Sequence, residues 1–277
     1  MFESFTNAIR TDIDEFVTTR KMQRAIELSM QTGQYFNHNQ YPMYFTGRLD
    51  ARIVLVHLNP KQANDPAWTY TGEFRQGDFR LDDFASYFTY HQHFGRSNYG
   101  PAAPRTHRSP FDRKQIRFLK PFGVIPFVEE QSRDDGFTNL ELAIDEKLQL
   151  ELIPYGSAQF STKGFTPAIL APHVDRLLDV ICACPRDYVF FCGRVFEVFF
   201  QDSITHTHEF RLTKKDGGTA RNSSRFSNLR FVHDGTVVHA GLAHTFAQQG
   251  IRMDAYAQRC KELYDCRCLG GVSRRRP

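Results

Sequence analysis

The sequence predicts an α/β fold built on a mostly parallel sheet, and two stretches carry that expectation. In residues 52–61 (RIVLVHLNPK) a short Val/Ile-rich run passes through His57 and Leu58 into Asn59-Pro60. This is the pattern of a buried strand stopped by a turn residue and a proline. From 147 to 200, strand, helix, strand and helix signals follow one another, the series that builds a parallel sheet. Ligands of open α/β sheets bind at the carboxyl edge of the strands, where Asn59 falls. The same residue would equally serve as a helix cap or turn opener.

Taken in order, residues 4–34 predict one or two helices. Phe5, Ile9, Ile13, Phe16 and Val17 recur near helical spacing, then Met22, Ala25, Ile26 and Met30, with Gly33 as the stop. Residues 41–49 lead through Gly47 into the strand at 52–59. The 61–120 region is polar and aromatic. Within it, 82–94 has helical spacing of Phe84, Tyr87, Phe88 and His91, whereas 95–115 predicts an irregular loop of the length that usually serves function. An apolar run follows at 118–127.

Residues 147–155 alternate and stop at Pro154, which predicts a strand. A helix is expected after Pro172, with Val174, Leu177, Leu178 and Ile181 inward. Residues 188–192 (YVFFC) predict a buried strand, and Gly193 opens a short helix to Phe200. Strands are expected at 209–212 and 229–233, the latter turning at Asp234-Gly235, a hairpin dipeptide. Residues 236–243 then run into His244, and 255–264 predict the closing helix. The expected organisation is one domain over 1–277: a helical part at 1–40, an inserted basic and aromatic region at 61–120, and a basic tail at 265–277.

At 277 residues and 32.1 kDa the chain is long enough for a full core. Its 41% hydrophobic and 24% charged content is that of an ordinary globular protein, while the 14% aromatic share, with 26 Phe and 11 Tyr, is high. Aromatics fill cores and also stack on nucleic-acid bases. The formal net charge is +4, and the charge is unevenly spread. Arg96, Arg105, Arg108, Arg113, Lys114, Arg117 and Lys120 are accompanied by one acid, Asp112, and the chain ends in Arg274-Arg275-Arg276. Such a segment is either a solvated loop or a phosphate-binding one. Acids at 3, 12, 14 and 15 break any secretory pattern, and no apolar run reaches the ~18 residues of a membrane span. Six cysteines, several in core-like segments, predict reduced thiols and a cytoplasmic location. Cys182-x-Cys184 and Cys266-x-Cys268 lack the usual zinc spacing, so no metal is expected.

Three strand-end segments, in this order, resemble those of the uracil-DNA glycosylase superfamily. Leu58-Asn59-Pro60 is similar to the motif of its single-strand-selective and mismatch-specific branches, in which the Asn holds the hydrolytic water. Lys61 stands here in place of a usual Gly. Glu151-Leu152-Ile153-Pro154-Tyr155 resembles the segment whose Asn reads the flipped pyrimidine, with Glu151 at that position. Gly241-Leu242-Ala243-His244-Thr245-Phe246 resembles the His-Pro-Ser strand end, with Thr245 and Phe246 replacing Pro and Ser. The resemblance spans about residues 50–260. It implies a three-layer α/β/α fold and a monofunctional DNA glycosylase with no metal or other cofactor. The iron–sulfur branches carry an N-terminal cysteine pair, and this chain has no Cys before Cys182.

On that reading the partner is DNA, single- or double-stranded, carrying a modified base, with no membrane and no obligate protein partner. The catalytic pair is Asn59 and His244. Glu151, Leu58, Pro60 and Tyr155 surround the base, and Lys61, Arg96, Arg105, Arg108, Arg113 and Lys114 meet the DNA. A carboxamide has no useful basicity, so Asn59 would orient water by its dipole. His244 would donate to the base O2 as charge collects there; His239 is the alternative donor, and His57 is a candidate to assist Asn59. Tyr87, Phe88, Phe94 and Tyr99 are candidates for stacking on the base, and Lys163 for phosphate. An ionised Glu151 accepts from the N4 amino group of cytosine, and a protonated one also donates to N3. The expected substrate is therefore a modified cytosine rather than uracil, in repair or in defence against phage. The alternatives are a uracil-specific enzyme, a non-catalytic nucleic-acid-binding module, a Schiff-base variant through Lys61, and a nucleoside hydrolase.

Overall fold

The computed structural model describes residues 2–60, 75–76, 79–80, 83–99, 110–123, 140–244, 246 and 250–266. The elements in chain order begin with α1 (Glu3–Thr19), α2 (Gln23–Thr32), β1 (Phe45–Gly47), β2 (Ile53–His57), β3 (Arg75–Gln76), β4 (Phe79–Arg80), α3 (Phe84–Gln92) and α4 (Phe94–Tyr99). They continue with α5 (Pro110–Leu119), α6 (Leu140–Asp145), β5 (Leu148–Glu151), α7 (Pro167–Cys182), β6 (Tyr188–Phe191) and α8 (Phe196–Phe199), and end with β7 (Ile204–Thr213), β8 (Thr219–His233), β9 (Thr236–Ala243) and α9 (Met253–Cys266). The chain folds as two compact units, one of residues 1–108 and 140–187, the other of 109–139 and 188–277. No described helix is long and apolar enough to cross a membrane.

In the first unit β5 lies between β1, antiparallel to it, and β2, parallel to it. The registers Val56 to Leu150 and His57 to Glu151 bring the two parallel strands to a common end. Every residue of β2 and β5 is buried, including the polar ones. Helix α1 buries Phe5, Ile9, Ile13 and Phe16, the periodic set seen in the sequence, and Asp12 with them. Helix α2 turns differently from expectation: Ala25, Leu28 and Thr32 face in, while Met30 is exposed. Gly47 ends β1 at φ +87°, and a Cβ there would sit 1.8 Å from the Lys147 carbonyl oxygen. Helix α3 is fixed by a reciprocal capping box between Asp83 and Ser86.

The second unit has the strand order β6-β9-β8-β7. Only β6 and β9 run parallel; β9, β8 and β7 form an antiparallel meander. In its core the Phe118 ring packs against Phe190, Phe246 and Tyr256, and Phe122 against Phe190.

The elements are mixed α and β, as expected, but the expected mostly parallel sheet is corrected to a mostly antiparallel one. The β7–β8 hairpin is the reason. Its strands are 10 and 15 residues long, and β7 is largely exposed, so apolar alternation revealed only short pieces of them. Two further expectations are corrected. Helix α7 starts at Pro167 and contains Pro172, because the Thr166 side chain accepts from Ile169 N and caps the helix upstream. Segment 95–115 holds α4 and the start of α5 rather than an uninterrupted loop; Gly95 N and Arg96 N donate to the Asp145 carboxylate, which anchors α4.

Candidate functional site

Beyond their last ladder residues, β2 and β5 stay joined. Leu152 N donates to His57 O and Ile153 N to Leu58 O, both at 2.9 Å, and Ser157 N donates to Pro60 O at 3.1 Å. The loop that carries Asn59 is thereby stitched to the one that follows Glu151. The Asn59 amide completes the join. Its Nδ2 donates to Ser157 Oγ at 2.7 Å, with Pro60 O at 3.2 Å and Tyr155 O at 3.4 Å. All three partners are acceptors, which fixes the amide orientation. Oδ1 accepts from none of the described residues, so its lone pairs remain for a water or a ligand. Leu58 is half-buried and Pro60 buried.

Glu151 lies at the end of a polar row on β5. Lys147, Gln149 and Glu151 share one face of the strand by their spacing, and all three are buried. Lys147 Nζ donates to Gln149 Oε1 at 3.2 Å, and Gln149 Nε2 donates to Glu151 Oε1 at 2.6 Å. Glu151 Oε2 is shielded from solvent and has no hydrogen-bond partner among the described residues. Burial pushes the carboxyl up to about 8, against the Gln149 hydrogen bond and the Lys147 charge, which favour ionisation. At neutral pH the acid is therefore mostly protonated. With Gln149 donating to Oε1, the proton belongs on Oε2, and the group presents one donor and one acceptor.

Tyr155 is placed differently from a residue that lies against a base. Its hydroxyl donates to Asp12 Oδ2 at 2.8 Å inside the first unit. Tyr87 is likewise buried, with its hydroxyl on Pro42 O at 2.6 Å, so its ring belongs to the core. Phe88, Phe94 and Tyr99 are half-buried. Phe88 borders a cleft of about 600 Å³ together with Arg48, Arg96 and His93.

His244 belongs to the second unit, directly after β9. Its Nε2 lies 3.0 Å from Ser227 Oγ, which is 2.9 Å from Thr207 Oγ1, and its Nδ1 is 3.7 Å from Glu197 Oε2. Glu197 also pairs with Arg225 at 3.4 Å. Burial lowers the His244 pKa to about 4, opposed by Glu197 and aided by Arg225 and Arg194, so the ring is neutral at pH 7. Serine, histidine and glutamate in this order resemble a nucleophilic triad, but Ser227 is fully buried and its Oγ is shared between His244 and Thr207. What the arrangement does is orient a neutral imidazole. Ser227 and Glu197 were not legible beforehand, since both are placed beside His244 by the fold alone. His239 is exposed, five residues earlier on β9.

Among the expected DNA contacts, Arg96 is exposed and lies 3.6 Å from Asp145. Arg113 and Lys114 are half-buried on α5, with the Lys114 ammonium 5.8 Å from the Phe246 ring centre. Lys163 is exposed. Lys61, Arg105 and Arg108 lie outside the described residues, as does Thr245.

Neither a family model nor a curated protein matches this chain.

Proposed function

We propose that the protein is a monofunctional DNA glycosylase that hydrolyses the N-glycosidic bond of a flipped pyrimidine, a modified cytosine in preference to uracil. The observation that carries this reading is the stitched pair of strand ends. There an amide with a free carbonyl oxygen, Asn59, and a buried carboxylic acid with an unpartnered oxygen, Glu151, come from neighbouring strands. In this reading Asn59 Oδ1 accepts from and orients the attacking water. The protonated Glu151 donates to N3 of the base, and the acid's acceptor side takes the N4 amino hydrogen. The three-layer α/β/α arrangement of the uracil-DNA glycosylase superfamily, a cytoplasmic setting and a role in repair or phage defence belong to the same proposal.

The bond breaks with positive charge building on the sugar and negative charge on the base, so fixed dipoles and a pre-set donor stabilise the transition state. The test is abasic-site formation by purified protein on oligonucleotides carrying uracil or modified cytosines. The expected result is strand scission after alkali only where a modified cytosine stands; scission at uracil alone would replace the proposal with a uracil-specific enzyme.

A second reading, a nucleic-acid-binding module without turnover, draws on one observation: the Asn59 Nδ2 is fully committed to loop contacts. It predicts DNA binding that survives Asn59→Ala and no abasic sites on any substrate.

A further inference from the structure

Away from the Asn59 and Glu151 strand ends, one cluster in the first unit carries more positive charge than its acids balance. Asp12 is its buried carboxylate, hydrogen-bonded through one oxygen and only ion-paired through the other. Oδ2 accepts from Tyr44 OH at 2.6 Å and Tyr155 OH at 2.8 Å, and Oδ1 lies 3.0 Å from Arg24 Nη1. Arg176 enters the same cluster from α7. Its guanidinium lies over the Tyr44 ring at 5.0 Å. Its Nη2 donates to His173 Nδ1 at 2.9 Å and reaches Leu152 O at 3.5 Å.

The rest of that guanidinium has no acceptor among the described residues. Nε is shielded from solvent without an acceptor, Nη1 donates to none of the described residues, and no described carboxylate lies within ion-pairing distance. Arginine does not deprotonate to escape this position. A part-buried guanidinium without a counter-anion is costly, and a charged acceptor would relieve it. His173 strengthens the case. Since its Nδ1 accepts from Arg176, the neutral ring carries its proton on Nε2, a further donor. Arg24 keeps its side chain 48% exposed, open to a second partner beyond Asp12.

We propose that Arg24, His173 and Arg176 form an oxyanion-binding site that takes a phosphate group. The planar fork of arginine matches phosphate oxygens in geometry as well as charge. Leu152, whose carbonyl Arg176 reaches, directly follows Glu151 in the chain, so a phosphate held here lies beside the end of β5. The chemistry has two sources, a backbone phosphodiester of nucleic acid and a free phosphate or phosphomonoester.

Calorimetric titrations of the full chain with inorganic phosphate and with a short single-stranded oligonucleotide separate them. Wild type is compared with Arg176→Gln and His173→Ala, and thermal unfolding monitors the fold of each. The expected result is saturable binding of at least one probe, weakened about tenfold or more in Arg176→Gln. Binding of inorganic phosphate assigns a free or monoester ligand. Binding of the oligonucleotide alone, with the slope of log K against log salt falling by roughly 0.7 in the variant, assigns the backbone. Should Arg176→Gln not fold, Arg176→Lys replaces it, since lysine keeps the charge and loses the fork. Wild-type affinity in the folded Arg176 variant, or no binding of either probe to wild type, overturns the proposal. Base excision enters neither readout, so failure of the glycosylase reading and failure of this site are told apart.

Discussion

A carboxylic acid whose folded pKa is about 8, against an ordinary 4.5, binds an extra proton in the folded state between those values. Its stabilising contribution is complete below 4.5 and is lost as pH rises through 8. His244 works in the other direction: its pKa is lowered to about 4, so its contribution is present above the ordinary 6.5 and lost as pH falls through 4. Above pH 6.5 the histidine term is flat and Glu151 is isolated. Denaturant titrations should show stability falling by roughly 2 kcal/mol from pH 6.5 to 8.5 in wild type, at about 1.4 kcal/mol per pKa unit. Most of that fall should be absent in Glu151→Gln; an equal fall in both proteins would mean that Glu151 ionises normally. Asn59→Ala tests a different property. It removes the bond to Ser157 at a cost of about 1 kcal/mol, while under the proposed function excision should drop by roughly a hundredfold or more through loss of the water-orienting carbonyl. Equal losses of stability and rate would reduce Asn59 to a loop tie.

Elements that bury both faces announced themselves, and those that bury one or none did not. The runs at 53–56 and 188–191 are aliphatic or aromatic throughout, and each forms or lies within a strand. Residues 147–151 alternate like a half-buried strand, yet Lys147, Gln149 and Glu151 are as enclosed as the leucines between them. Arg186 shows a tie no periodicity reveals. Just beyond α7, its guanidinium donates to the carbonyls of Leu49 and Ala51 and to Val180 and Ile181, binding the helix end to the turn before β2. Arg186→Lys should destabilise by roughly 2–4 kcal/mol in chemical denaturation, since an ammonium cannot span these carbonyls; a loss below about 0.5 kcal/mol would contradict that role. Gly241 belongs to β9 near His244, and a Cβ there would meet the Phe226 ring at 2.6 Å and Phe190 at 2.9 Å. Gly241→Ala should therefore lower the unfolding midpoint by several degrees, an overpacking effect on the order of 1–3 kcal/mol. An unchanged midpoint would show that the two rings yield freely.

At the scale of the whole molecule, strand order along the chain was legible and strand direction was not. Alternating strand and helix signals up to Phe200 pointed to parallel pairing, and β2/β5 and β6/β9 do pair that way. The exposed β7–β8 hairpin lacks the apolar alternation that would have shown its length, and with β9 it makes antiparallel pairing predominate. Of the candidate site, the residue identities at the strand ends were legible, because a polar residue closing an apolar run stands out in any sequence. Their partners were not: Ser157, Gln149, Ser227 and Glu197 are joined to Asn59, Glu151 and His244 by the fold. The same limit hid Arg24 and Arg176, which are 152 positions apart by number and act on one buried cluster through α2 and α7. The central claim is that the Asn59 and Glu151 strand ends serve excision of a modified cytosine. Its most direct measurement is abasic-site formation by wild type and Asn59→Ala on matched oligonucleotides carrying cytosine, uracil or a modified cytosine. The account predicts abasic sites only at the modified cytosine and only with wild type; no abasic site on any of them, or equal yields from the two proteins, would contradict it.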